Sequence, residues 1–137
     1  MITLKRVDDA FRLEARNDRG DVTYTDGSAA IGAGENGFRP MELLLVSLAG
    51  CSAIDVINVL SRQRQTIDDF QMTIDGDRVD GTPSPWKAIR IHLKIKGQVK
   101  STKLDQAIQL TREKYCSVYF SLHPDIEVEY TYDIEAT

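Results

Sequence analysis

The stretch from Met41 to about Gln65 has no proline, follows directly on Pro40, and carries Leu43, Leu44, Leu45, Val46, Leu48, Ile54, Val56, Ile57, Val59 and Leu60. Proline suits the first position of a helix, where its missing N–H is no loss. Wound at 3.6 residues per turn, these side chains cover most of the circumference, whereas a surface helix needs only one apolar stripe. At about 1.5 Å per residue the helix is roughly 35 Å long, the width of a small domain. A chain of 137 residues has trouble enclosing such a helix alone, so a partner subunit is the natural cover.

The segments on either side are built for strands. Ile2/Leu4/Arg6, Phe11/Leu13/Ala15 and Val22/Tyr24 alternate in three short runs, broken at Asp8-Asp9 and at Asn17-Asp18-Arg19-Gly20, which predicts a three-stranded meander. Residues 26–39 hold four glycines and no period, a mobile connecting loop. Phe70/Met72/Ile74 and Ile89/Ile91/Leu93/Ile95 alternate across a break at Asp80-Gly81, Pro83 and Pro85, a second hairpin. Ser101-Thr102 can cap a second helix through Tyr115, and Ile126, Val128, Tyr130 and Tyr132 form a last strand. The order is βββ-α-ββ-α-β, an α+β pattern in one domain spanning residues 1–137, with no repeat and no linker.

The charge balance excludes some functions. Hydrophobic residues make up 42% and charged residues 28%, an ordinary globular composition, and the net charge of −4 lacks the basic excess that nucleic acid demands. Met1 to Asp9 has no apolar signal core, and no apolar run is expected to span a bilayer. The expected place is therefore the cytoplasm, with no membrane partner. Thiols are kept reduced there, so Cys51 and Cys116 are expected to be free, reactive or transiently paired.

Cys51 lies mid-helix, and steps of three and four from it meet Ser47, Asp55, Asn58 and Arg62, the polar stripe of an otherwise apolar helix. Taken alone, Cys51 and Cys116 read equally well as small buried hydrophobes. His92 has the parity of the solvent face of its strand, and His123 precedes Pro124 in a loop. The two cysteines and two histidines lack the paired short spacings of a zinc site, so neither metal nor cofactor is expected. Glu42 and Arg39 flank Pro40, where a first-turn acid and a solvated arginine are ordinary, and Arg19 falls in a turn.

The segment Pro40-Met41-Glu42-Leu43-Leu44-Leu45-Val46-Ser47-Leu48-Ala49-Gly50-Cys51-Ser52-Ala53-Ile54-Asp55-Val56 resembles the surroundings of the first cysteine in the OsmC/Ohr family, in its YhfA-like branch. Glu113-Lys114-Tyr115-Cys116-Ser117-Val118 is similar to those of the second, and the element order matches over nearly the whole chain. The resemblance implies a swapped homodimer with six-stranded sheets wrapped around long central helices. It implies reduction of organic hydroperoxides, with Cys51 peroxidatic, Cys116 resolving, Glu42 in the site, and a dithiol such as a lipoyl protein as reductant. The family also uses an arginine, for which Arg39 and Arg19 are both candidates. A thiol with an ordinary pKa of about 8.5 needs such a cation to react as thiolate, and a mid-helix position gains little from the helix dipole. Asp55, one turn beyond Cys51, would oppose thiolate formation unless paired, Arg62 being the nearest partner by spacing. The competing reading is a redox-responsive module holding a small apolar ligand in the dimer-interface cavity without turnover.

Overall fold

The computed structural model describes Met1–Thr137, which divide into two compact units, Met1–Leu44 and Leu45–Thr137. In the first unit β1 (Thr3–Arg6), β2 (Leu13–Arg16) and β3 (Val22–Thr25) form an antiparallel meander in sequence order, as the alternation predicts. Its turns are held by short polar side chains. The Asp8 carboxylate accepts the N–H groups of Ala10 and Arg12 at 2.8 and 3.1 Å, and Asn17 Oδ1 accepts those of Arg19 and Asp21 at 3.0 Å each.

The glycine-bearing loop after β3 is not an unstructured connector. It is built around Asp26, only 3% exposed, whose two carboxylate oxygens accept the N–H groups of Gly27 and Asn36, while Phe38 bridges back to Thr25. A buried carboxylate satisfied by backbone donors gives the loop the fixed partners that glycine content alone does not reveal.

Helix α1 (Pro40–Arg62) begins where the proline predicts, with the Glu42 carboxylate accepting the N–H of Arg39 at 2.9 Å. It stops three residues earlier than the pattern predicts. Arg64 sits at φ 59°, a left-handed conformation that ends the helix, and the Gln65 N–H returns to the Leu60 carbonyl at 2.9 Å. With 23 residues, α1 is long and apolar enough to cross a membrane by length and composition, which corrects the expectation that no run reaches that length. Its buried side is that of a core helix: Leu48, Val56 and Leu60 are wholly enclosed with the sheet of the second unit.

That sheet contains β4 (Thr66–Arg78), β5 (Trp86–Gln98) and β6 (Glu127–Glu135), with β5 in the middle. Ile89, Ile91, Leu93 and Ile95 of β5 point into the core and meet α1 and α2 (Ser101–Leu110) through Leu104, Ala107 and Ile108. The apolar parity of β4 changes between Ile67 and Phe70 because a bulge inserts one residue there. Gly97 lies at φ 144°, and a β-carbon there would collide with the Thr66 carbonyl.

β4 and β5 pair antiparallel, but β5 and β6 pair parallel. A parallel pair needs a long crossover, and here it is α2, a π-helical turn (Thr111–Tyr115) and α3 (Ser117–Ser121). The second helix thus differs from expectation at both ends. Its N-cap is Lys100, without a side-chain bond, rather than Ser101 or Thr102, and beyond Leu110 the backbone widens before restarting as α3. Thr111 takes part in that widening: wholly buried, its hydroxyl donates to the Ala107 carbonyl at 2.8 Å.

Candidate active site

The π-helical turn delivers Cys116 to the core. Its N–H reaches the Thr111 carbonyl at 3.0 Å, its backbone leaves the helical range, and its sulfur accepts the Tyr119 N–H at 3.4 Å as the cap of α3. Cys116 is fully buried, whereas Cys51, in the middle of α1, is half-buried. The two sulfurs and a carboxylate oxygen of Asp55 all lie within 4.8 Å of one another. Cys51 and Asp55 are four residues apart and so share one face of α1, while Cys116 arrives from the crossover.

Ser52 completes the inner side. Its buried hydroxyl lies 2.8 Å from the Tyr130 hydroxyl on β6 and 3.9 Å from the Cys116 sulfur. The Arg112 guanidinium stands 5.7 Å from the centre of the Tyr130 ring. Burial pushes the Tyr130 hydroxyl up to about 12, outweighing the opposing Ser52 hydrogen bond. Burial likewise raises the Cys116 thiol, against the Tyr119 N–H, and the neighbouring Cys51 and Ser52 add smaller effects of opposite sign. Asp55 is raised by burial alone. Its Oδ2 is closed to solvent and has no hydrogen-bond partner, so the expected pairing with Arg62 is not made. Both side chains are on α1, but Arg62 lies seven residues beyond Asp55, in the exposed last turn.

The predicted Glu42, Arg39 and Arg19 are engaged within the first unit. Glu42 caps the start of α1, the Arg39 guanidinium lies 3.4 Å from Glu35, and Arg19 pairs with Asp21 at 3.2 Å in its turn. His92 contacts Thr131 and Asp133 on the sheet surface, and His123 lies beside Asp125. Ser52, Tyr130 and Tyr119 were not foreseen as site residues. Tyr130 had one signal, its parity with the core residue Val128 along the last strand.

A half-buried and a buried thiol thus lie close together in an α+β core, the arrangement of a two-cysteine protein. The chain belongs to the OsmC-like protein family, whose pattern matches residues 32–131, and to its YhfA-like branch. It is 31% identical over 105 residues to protein YhfA of Escherichia coli K12, covering 76% of this chain and 78% of that protein. A hypothetical protein from Aquifex aeolicus superposes with a TM-score of 0.86 at 29% identity, covering 100% of this chain and 96% of that one. The organic hydroperoxide resistance protein OsmC from Legionella pneumophila shares the fold, with a TM-score of 0.71 at 14% identity over 97% of this chain and 96% of that one.

Proposed function

We propose that this protein reduces organic hydroperoxides with its two cysteines, and one observation carries the reading: the accessible Cys51 and the buried Cys116 face each other within 4.8 Å. The Cys51 thiolate attacks the O–O bond, so the alcohol leaves and Cys51 becomes a sulfenic acid. Cys116 then displaces water from that sulfenic acid, forming the disulfide. Closing the sulfurs to about 2.05 Å requires side-chain rotation and a small shift of the turn around Cys116. A dithiol, such as a lipoyl protein, returns both cysteines to thiols. The apolar walls of the site favour organic peroxides over hydrogen peroxide. Free thiols in this role belong in a reducing compartment, the cytoplasm.

The active form is a homodimer. On the single chain Val46 and Ile54 of α1 are 46% and 71% exposed, and Ile2 and Leu4 of the first unit are 67% and 56% exposed. Apolar surface of this kind needs cover, and a second copy supplies it by exchanging strands into six-stranded sheets around the helices. α1 is continuous from Pro40 to Arg62. Nine residues at about 100° each therefore put Glu42 and Cys51 on opposite sides of it, roughly 13 Å apart along the axis. Glu42 then serves the partner's Cys51, together with Arg39 or, as second choice, Arg19. The glutamate orients the arginine, and the arginine supplies the positive charge beside the attacking sulfur.

The test is a peroxidase assay across several organic peroxides and hydrogen peroxide, with dithiol and monothiol reductants, followed by peptide mapping. One equivalent of organic hydroperoxide should join Cys51 to Cys116 within one chain. Cys51→Ser should abolish turnover, and Cys116→Ser should stop after one oxidation. Bridges only between chains, or a persistent sulfenate in the wild type, would sink the two-cysteine mechanism. Retention of an apolar ligand without turnover would replace the enzyme by a binding module.

A further inference from the structure

The peroxidase reading leaves Asp55 without a task. Its Oδ2 is shut off from water, makes no hydrogen bond, and belongs to a carboxylate that shares its space with two sulfurs. An unsatisfied buried oxygen in this position calls for a partner. The groups acting on the Cys116 sulfur are the Tyr119 N–H, Cys51 and Ser52, and the Arg112 guanidinium on this side of the core stands over the Tyr130 ring. Three potential anions thus converge within 4.8 Å of one another.

We propose that Cys51, Asp55 and Cys116 form a binding site for a thiophilic divalent cation of the zinc type. The dimensions agree. With metal–sulfur bonds of about 2.3 Å and a metal–oxygen bond of about 2.0 Å, tetrahedral ligand atoms lie roughly 3.5 to 3.8 Å apart. The three atoms here all fall within 4.8 Å of one another, so no pair has to close by more than about 1.3 Å. Cys51 and Asp55 come from one rigid helix face at i and i+4, a spacing that presents two ligands side by side. Two sulfurs and one oxygen select zinc-like or softer ions over magnesium and calcium, which prefer oxygen-rich shells. Three protein ligands leave the fourth position to water or to an incoming thiol.

On coordination each thiol gives up its proton to solvent, and both cysteines are masked. Disulfide formation removes two of the three ligands, so oxidation releases the ion and metal loading protects the thiols. The site depends on where the thiols lie and not on peroxide turnover, so it stands or falls separately from the peroxidase reading.

The experiment titrates fully reduced, oxygen-free wild type with Co2+, then displaces it with Zn2+. One ion per chain is expected, with a sulfur-to-cobalt charge-transfer band in the near ultraviolet. Each of Cys51→Ser, Cys116→Ser and Asp55→Asn should weaken binding by about a hundredfold, with Asp55→Glu recovering part of it. X-ray absorption of zinc-loaded wild type, which needs no variant, should give two sulfurs and a remaining shell of oxygen. A shell with fewer than two sulfurs, no charge-transfer band at millimolar Co2+, or an affinity unchanged in folded Asp55→Asn would overturn the site. A protein that binds zinc in this way but never turns over peroxide would keep the site and remove the peroxidase.

Discussion

Replacing Tyr130 by Phe removes one oxygen from behind the cysteines, and the structure fixes what this should cost at each pH. The lost group is the hydroxyl 2.8 Å from Ser52, which leaves buried Ser52 with only the distant Cys116 sulfur at 3.9 Å. Losing one such hydrogen bond and stranding its partner costs about 1 to 2 kcal/mol at neutral pH. Burial pushes the Tyr130 hydroxyl up to about 12, from an ordinary 10.0. Because its pKa is raised in the fold, the proton stabilises the native state fully below pH 10 and that stabilisation is lost as pH climbs through 12. By pH 11 the wild type should have lost about 1.4 kcal/mol from this group, an upper bound for a half-buried side chain, whereas the Phe variant loses nothing there. The two stabilities should therefore converge near pH 11. Urea unfolding of both proteins at equal concentration from pH 7 to 11 measures the difference, in which titrating groups that do not act on Tyr130 cancel. A gap that stays constant across this range would refute the idea that burial of Tyr130 tightens its proton.

Asp55 is raised by burial, so its contribution to stability is complete below the ordinary carboxylate pKa of 3.8 and is lost as pH rises through the folded value; Asp55→Asn should gain on the wild type as pH rises above 3.8, and a flat difference in urea midpoints would contradict this. The protein should sediment as a dimer at micromolar concentration and unfold with a concentration-dependent midpoint, so a stable folded monomer on dilution would remove the proposed assembly. Inactive Cys51→Ser and Glu42→Ala homodimers, once subunits have exchanged, should regain about half of wild-type activity per mixed dimer, since one site carries both lesions and the other neither. A mixture that stays inactive after verified exchange would place Glu42 in the same chain as the cysteine it serves.

The sequence made the local patterns legible and the distant meetings not. Pro40, the alternating strands and the Asp80-Gly81 break mark α1, the meander and the hairpin because each signal lies within a few residues of its effect. The stop at Arg64 carries no such mark, since a non-glycine residue in the left-handed region is held there by its surroundings. The π-helical turn is equally hidden: Thr111 looks like any helical residue until its hydroxyl is seen to bond Ala107. The two cysteines are recognisable by resemblance, but their approach depends on the crossover that returns the chain to β5, which no local pattern encodes. Spacing marks Asp55 and offers Arg62 as a partner that the fold does not bring to it, because helical steps show who shares a face and not who reaches across it.

The parallel pairing of β5 with β6 also sets a timetable for biosynthesis. Ser52 and Tyr130 are 78 residues apart, and Cys116 lies in the crossover between them. At 5 to 20 residues per second, a ribosome needs about 4 to 16 s to add that stretch. Until residue 116 is added a nascent chain carries Cys51 without Cys116, and throughout the interval it lacks the closing strand. The crossover therefore brings the first thiol its neighbour, and the last strand completes the site by setting Tyr130 against Ser52.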